Sequence, residues 1–194
     1  MKMVRGLLVA ACFAAALSAH AGFDEGMEAY GKGDYTVALR EFKAAAEKGD
    51  LHAQQNLGMM YAFGLGVDKD EKLAVEWYRK AAEKGFAPAQ HSLGQAYEEI
   101  IGVWRDETVA AEWYRKAAEQ GYGKAQFSLG LMYARGLGVK KDLVQAYKWF
   151  HLAALSGEPY ADRNRDNAEK QMSKKQIEQA MELAMQWEPP VKKL

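Results

Sequence analysis

Between Asp50 and Lys84 the chain carries two apolar stripes separated by a glycine-bearing gap. Ala53, Leu57 and Tyr61 fall at i, i+4 and i+8, the spacing of one helix face. Past the gap, Ala74, Trp77, Tyr78, Ala81 and Ala82 form a second stripe of the same kind. The pattern predicts one helix from about Asp50 to Ala62 and a second from Asp70 to about Lys84. The loop between them, Phe63 to Lys69, contains Gly64, Gly66 and Val67, and its glycines permit backbone angles that other residues avoid. Asp70 stands where a carboxylate can accept the unpaired amides of a first helical turn. Gly85 stands where a helix commonly stops.

The unit recurs. Gly49, Gly85, Gly121 and Gly157 are spaced 36 apart, as are Leu57-Gly58, Leu93-Gly94 and Leu129-Gly130. Tyr61, Tyr97 and Tyr133 keep the step, and so do Trp77-Tyr78, Trp113-Tyr114 and Trp149-Phe150. Asp70, Asp106 and Asp142 complete the register. These residues are the repeat framework. A single helix pair cannot cover this much aromatic surface, so successive pairs must stack. Trp113, in a central unit, is expected to pack against the pairs on both sides.

The residues A-x3-LG-x2-Y-x2-G-x-GV-x2-D, followed by A-x2-WY-x-KAA-x2-G, resemble the Sel-one-like repeat, a relative of the tetratricopeptide repeat. The resemblance implies an all-α, right-handed α-solenoid of stacked helix–turn–helix repeats with a 36-residue period. It divides the chain into an opening tetratricopeptide-like unit (22–49), repeats at 50–85, 86–121 and 122–157, and C-terminal capping helices (158–194). The opening unit lacks the G-x-GV loop. In the 86–121 repeat Ile100 replaces the first loop glycine and Trp104-Arg105 follows Val103, so this loop is expected to bend differently or to present Trp104 to a partner. Near the C-terminus Arg165-Asp166 replaces Leu-Gly, the polar form suited to a terminal cap. Ser173 with Gln176 makes a capping box, ahead of a buried stripe of Ile177, Ala180, Met181, Ala184 and Trp187 that Pro189-Pro190 ends.

Composition narrows the function. Basic and acidic side chains balance at 26 each, which excludes a basic nucleic-acid surface as the default. The single cysteine excludes an intrachain disulfide framework and a Cys-rich zinc site. Residues 1–21 have the form of a secretory signal: Lys2 and Arg5, an apolar run from Gly6 to Ala19, and the A-x-A site Ala19-His20-Ala21. The run is shorter than the roughly 20 residues a membrane span needs. Val9-Ala10-Ala11-Cys12 also resembles a lipoprotein box, which would lipidate Cys12, but its apolar core is short and a better site follows. Cleavage after Ala21 removes Cys12 and delivers a periplasmic or secreted protein.

Chemistry-bearing motifs are not found. There is no phosphate loop, dinucleotide fingerprint, metalloprotease motif, nucleophile elbow or zinc-ligand spacing, so no catalytic residue, cofactor or metal is assigned. His52 and His91 fall in neighbouring repeats with no carboxylate or cysteine at ligand spacing. His151 reads as a satisfied helix residue. The Trp-Tyr pairs read as core, and the Lys-Arg scatter as solvated helix faces.

What varies while the framework repeats is the exposed side of the first helices, which by resemblance lines the concave face. Those positions are His52, Gln55, Met59 and Phe63, then Pro88, His91, Gln95 and Glu99, then Lys124, Phe127, Leu131 and Arg135. Tyr160, Arg163 and Asn167 extend the series. They suit either a groove for an extended protein or peptide partner or an ordinary surface. His91 and Gln95 are expected to face solvent. The resemblance also admits an enzyme, since some secreted relatives bind penicillin or weakly hydrolyse β-lactams. Those relatives carry a disulfide in each repeat, which this chain lacks. A third reading is an assembly factor or regulator of an envelope machine.

Overall fold

The computed structural model describes residues 22–188, all of whose regular elements are helices. The signal segment 1–21 with Cys12, and Pro189-Pro190, lie outside the described residues. The chain divides into two compact units, Met1–Lys84 and Gly85–Leu194. The first holds α1 (22–31), α2 (Tyr35–Glu47), α3 (Leu51–Phe63) and α4 (Glu71–Glu83). The second holds α5 (Ala87–Glu99), α6 (Glu107–Ala118), α7 (Gly123–Arg135), α8 (Leu143–Leu155), α9 (Ala161–Glu169) and α10 (Lys174–Met185). Among the described residues no helix is long and apolar enough to cross a membrane.

Capping sets the helix starts. Asp34, Asp70, Asp106 and Asp142 each accept first-turn amides of α2, α4, α6 and α8, for example Asp70 from Leu73 at 3.0 Å and Asp142 from Val144 at 2.9 Å. Each such carboxylate satisfies amides that the helix itself cannot pair. Ser173 and Gln176 form the expected reciprocal capping box on α10.

The repeated Leu-Gly and aromatic pairs serve one purpose. A Cβ at Gly58 would lie 2.6 Å from the Tyr78 ring, at Gly94 2.7 Å from Tyr114, and at Gly130 2.6 Å from Phe150. Only glycine lets the second-helix ring lie flat on the first helix. A Cβ at Gly26 would likewise lie 2.6 Å from the Phe42 ring, so the opening pair α1–α2 has the repeat's packing with a shorter loop. In the first unit the core gathers Phe42, Leu57, Met60 and Trp77. In the second it gathers Tyr114, Leu129, Met132 and Trp149.

A buried amide ties successive helix pairs within each unit. Gln54 Nε2 donates to the Ala46 carbonyl at 3.0 Å, and Gln126 Nε2 donates to Ala118 at 3.2 Å. Gln90, a period from each, is buried as well, and its Oε1 accepts from Gln120 at 2.7 Å.

Several expectations require correction. The 100–103 loop does not bend differently: Ile100 takes the left-handed φ of 63°, as Gly64 and Gly136 do at 67° and 76°. The turn bonds also match, with Ile101 donating to Ala96 at 3.0 Å as Leu65 does to Met60 at 2.9 Å. Trp113 is only half-buried, unlike Trp77 and Trp149, although Lys116 covers its ring as Lys80 covers Trp77. Met181 is exposed, since α10 buries only Ala180 and Ala184 and no further pair covers its outer side among the described residues. His151 stacks on Tyr147 at 6.2 Å, but its buried Nδ1 has no hydrogen-bond partner.

Candidate functional site

The first helices carry the variable positions, and each unit presents its own set. In the first unit α3 exposes His52 and Phe63 and leaves Gln55 and Met59 half-buried. The His52 ring lies 5.5 Å from Phe23 of α1. Exposure of the 70% solvent-accessible Phe63 at the end of α3 leaves an aromatic ring with no core of its own.

In the second unit α5 and α7 lie side by side. Pro88 and Gln95 are half-buried and Glu99 exposed on α5, while Lys124 and Arg135 are exposed and Phe127 and Leu131 half-buried on α7. Phe127 packs on Phe150 at 5.8 Å, so its ring forms the floor of this face. His91 departs from expectation. It is only 8% exposed, with its ring 5.4 Å from Tyr114 and 5.6 Å from Tyr122. The imidazole turns inward, where Nε2 meets Ser128 Oγ at 3.3 Å. Burial, with Lys124 nearby, pushes its pKa down to about 4, so at neutral pH it is uncharged.

The His91–Ser128 contact continues to Tyr114, whose hydroxyl donates to Glu98 Oε2 at 2.7 Å. Tyr114 also meets Ser128, and burial first, then the Glu98 bond, raises the phenol pKa. A polar chain therefore runs His91–Ser128–Tyr114–Glu98 beneath the α5–α7 face. Sequence reasoning missed it because Ser128 and Glu98 sit among variable positions and carry no motif.

The second-helix tryptophans are not an open aromatic cage. Lys80 Nζ lies 3.7 Å from the Trp77 ring centroid, Lys116 3.7 Å from Trp113 and Lys148 4.5 Å from Trp149. Each ring thus already carries a cation of its own helix on one face. Among the described residues no group of three or more His, Cys, Asp or Glu side chains could hold a metal ion.

The Sel1 repeat family matches the chain over residues 51–86, 87–122 and 123–158. Among solved structures the chain is similar to c5321, described as a protective antigen present in uropathogenic Escherichia coli strains and displaying an SLR fold. The identity is 46% and the TM-score 0.73, over 78% of this chain and 32% of that one. A Sel1 repeat protein from Oxalobacter formigenes is 37% identical with a TM-score of 0.69, over 72% of this chain and 58% of its own. The chain thus spans about a third and somewhat over half of these two relatives. No curated protein matches significantly. Three matched repeats, the glycine-seated aromatic rings and the shared turns agree: the chain belongs to the Sel1 repeat family.

Proposed function

We propose that the protein is an exported, non-catalytic interaction scaffold that holds a protein or peptide partner on its first-helix face, in the periplasm or outside the cell. One observation carries this reading: over a framework repeated almost residue for residue, the solvent-accessible first-helix positions change character from repeat to repeat. Gln95 and Glu99 on α5 stand against Lys124, Leu131 and Arg135 on α7. A rigid backbone with differing side chains suits specific recognition of an extended segment, since its ordering cost is met before binding. Export rests on the sequence of residues 1–21.

The test replaces two face positions that are not in the core. Gln95→Glu with Leu131→Glu puts uncompensated charge at the middle of the face and should abolish partner capture from an envelope extract with helicity unchanged. Glu76→Lys with Glu112→Lys, on exposed second-helix positions, should leave capture intact. Capture that survives the first pair and fails with the second moves recognition to the second helices. Mass spectrometry of the exported product should find Gly22 as its N-terminus, and lipid on Cys12 would replace that assignment with a lipoprotein.

A further inference from the structure

The three inter-helix loops share one backbone and differ in what they show to solvent. The first carries Asp68, Asp70 and Glu71 against Lys69, which pairs with Glu71 at 2.7 Å. The third carries Arg135, Lys140 and Lys141 against Asp142, whose carboxylate caps α8. The second alone breaks the local rules. Ile100, a β-branched residue, holds a φ of 63° where its sister loops use glycine. That conformation is strained for any side chain with a Cβ. Ile100 is nevertheless 55% exposed and Trp104 90% exposed, so neither side chain recovers the cost by burial within the chain.

Charge is misplaced at the same spot. Glu98 and Glu99 end α5, where the unpaired carbonyls already make the helix terminus negative. Arg135 occupies the corresponding terminus of α7 and suits that field. Beyond the second loop come Asp106 and Glu107, and the one cation of this stretch, Arg105, is held by Glu107 at 2.5 Å. Strain, exposed apolar surface and like charge on a helix end all coincide within ten residues of one repeat. Such local disagreement concentrates where a partner supplies what the chain lacks.

We propose that the Ile100–Trp104 loop is a docking element for a basic, apolar segment of a partner polypeptide. An apolar side chain of that segment covers Ile100 and Trp104. Its ammonium or guanidinium group meets Glu99 and the carbonyl end of α5, and an arginine gains further from the open Trp104 face. The cationic third loop, with Lys140 and Lys141, repels the same segment, and the acidic first loop has no counterpart of the exposed Trp104 to hold it. An anionic membrane is disfavoured by the same carboxylates that attract the segment. This surface shares only Glu99 with the first-helix face, so the inference goes beyond the groove reading.

The experiment uses the full chain and a labelled synthetic peptide of alternating Lys and Leu, read by fluorescence anisotropy. The expected result is binding that Trp104→Ala and Glu99→Lys each weaken about tenfold or more, with circular dichroism unchanged. A peptide of alternating Glu and Leu should not bind. The Gln95→Glu, Leu131→Glu variant should bind the Lys-Leu peptide like the parent, which separates this proposal from the groove. The proposal is overturned if the Lys-Leu peptide fails to bind or binds the Trp104 and Glu99 variants equally well. Equal binding of the Glu-Leu peptide, or retention on phosphatidylglycerol vesicles that depends on Trp104, overturns it too.

Discussion

The 51–86 and 87–122 repeats have the same turns and the same ring-on-glycine contact, yet they fill that backbone differently. Tyr78 lies over Gly58 and burial alone raises its pKa. Tyr114 lies over Gly94 in the same way, but its hydroxyl anchors a polar chain from Glu98 to His91. The first repeat's loop turns on Gly64, while the second forces Ile100 through the same angle. The comparison teaches that periodic residues decide where the backbone goes. The residues that break the period decide what that backbone is for.

Core truncation should separate the repeats most. Trp149→Ala removes a fully buried ring and is expected to cost about 4 kcal/mol in urea titration. Trp113→Ala removes a half-buried ring under Lys116 and is expected to cost about 2 kcal/mol. Equal losses would mean that the framework tryptophans are equivalent after all.

Acid should come next. Unfolded His91 takes up a proton near pH 6.5, whereas the folded residue does so only near 4. Between those values the unfolded state binds more protons, so stability falls as pH drops from about 6.5 to about 4, by about 3 kcal/mol in total. His91→Phe, borrowing the residue of the equivalent position Phe127, should flatten that limb. An unchanged acid limb in this variant would show that another group carries it.

Removing one oxygen sharpens the comparison further. Tyr114→Phe removes the hydroxyl that Glu98 accepts from and that Ser128 meets, and should cost about 1.5 kcal/mol. Tyr78→Phe should cost less than about 0.5 kcal/mol, because no such network hangs on its hydroxyl. The smallest expected change is a gain: Ile100→Gly relieves the left-handed strain and should add about 1 kcal/mol to stability. A loss there would mean that Ile100 packs more than its exposure implies.

Most of the fold was legible because its determinants repeat. Asp70, Asp106 and Asp142 announce helix starts, and Gly58, Gly94 and Gly130 announce close approach. The inward turn of His91 was not legible. Its equivalents are Gln55 and Phe127, and such variation looks like surface even where it is a change of filling under a constant backbone. Trp113 misled in the opposite sense, since an identical residue at an identical step need not be equally covered when its neighbours differ. Gln54, Gln90 and Gln126 were missed although they keep the 36-residue step, because a polar residue on a helix suggests solvent. Periodicity in a polar residue is the signal that could have found them.

Those glutamines bear on how such chains lengthen. Gln54 reaches back to Ala46 and Gln126 to Ala118, so within each unit one helix pair offers its amide to a carbonyl of the pair before it. Removing or duplicating one whole period rejoins a like amide to a like carbonyl and creates no new kind of joint. Cutting or adding a fraction of a period strands both groups away from water. Gene duplication can therefore change the length of this array only in whole steps.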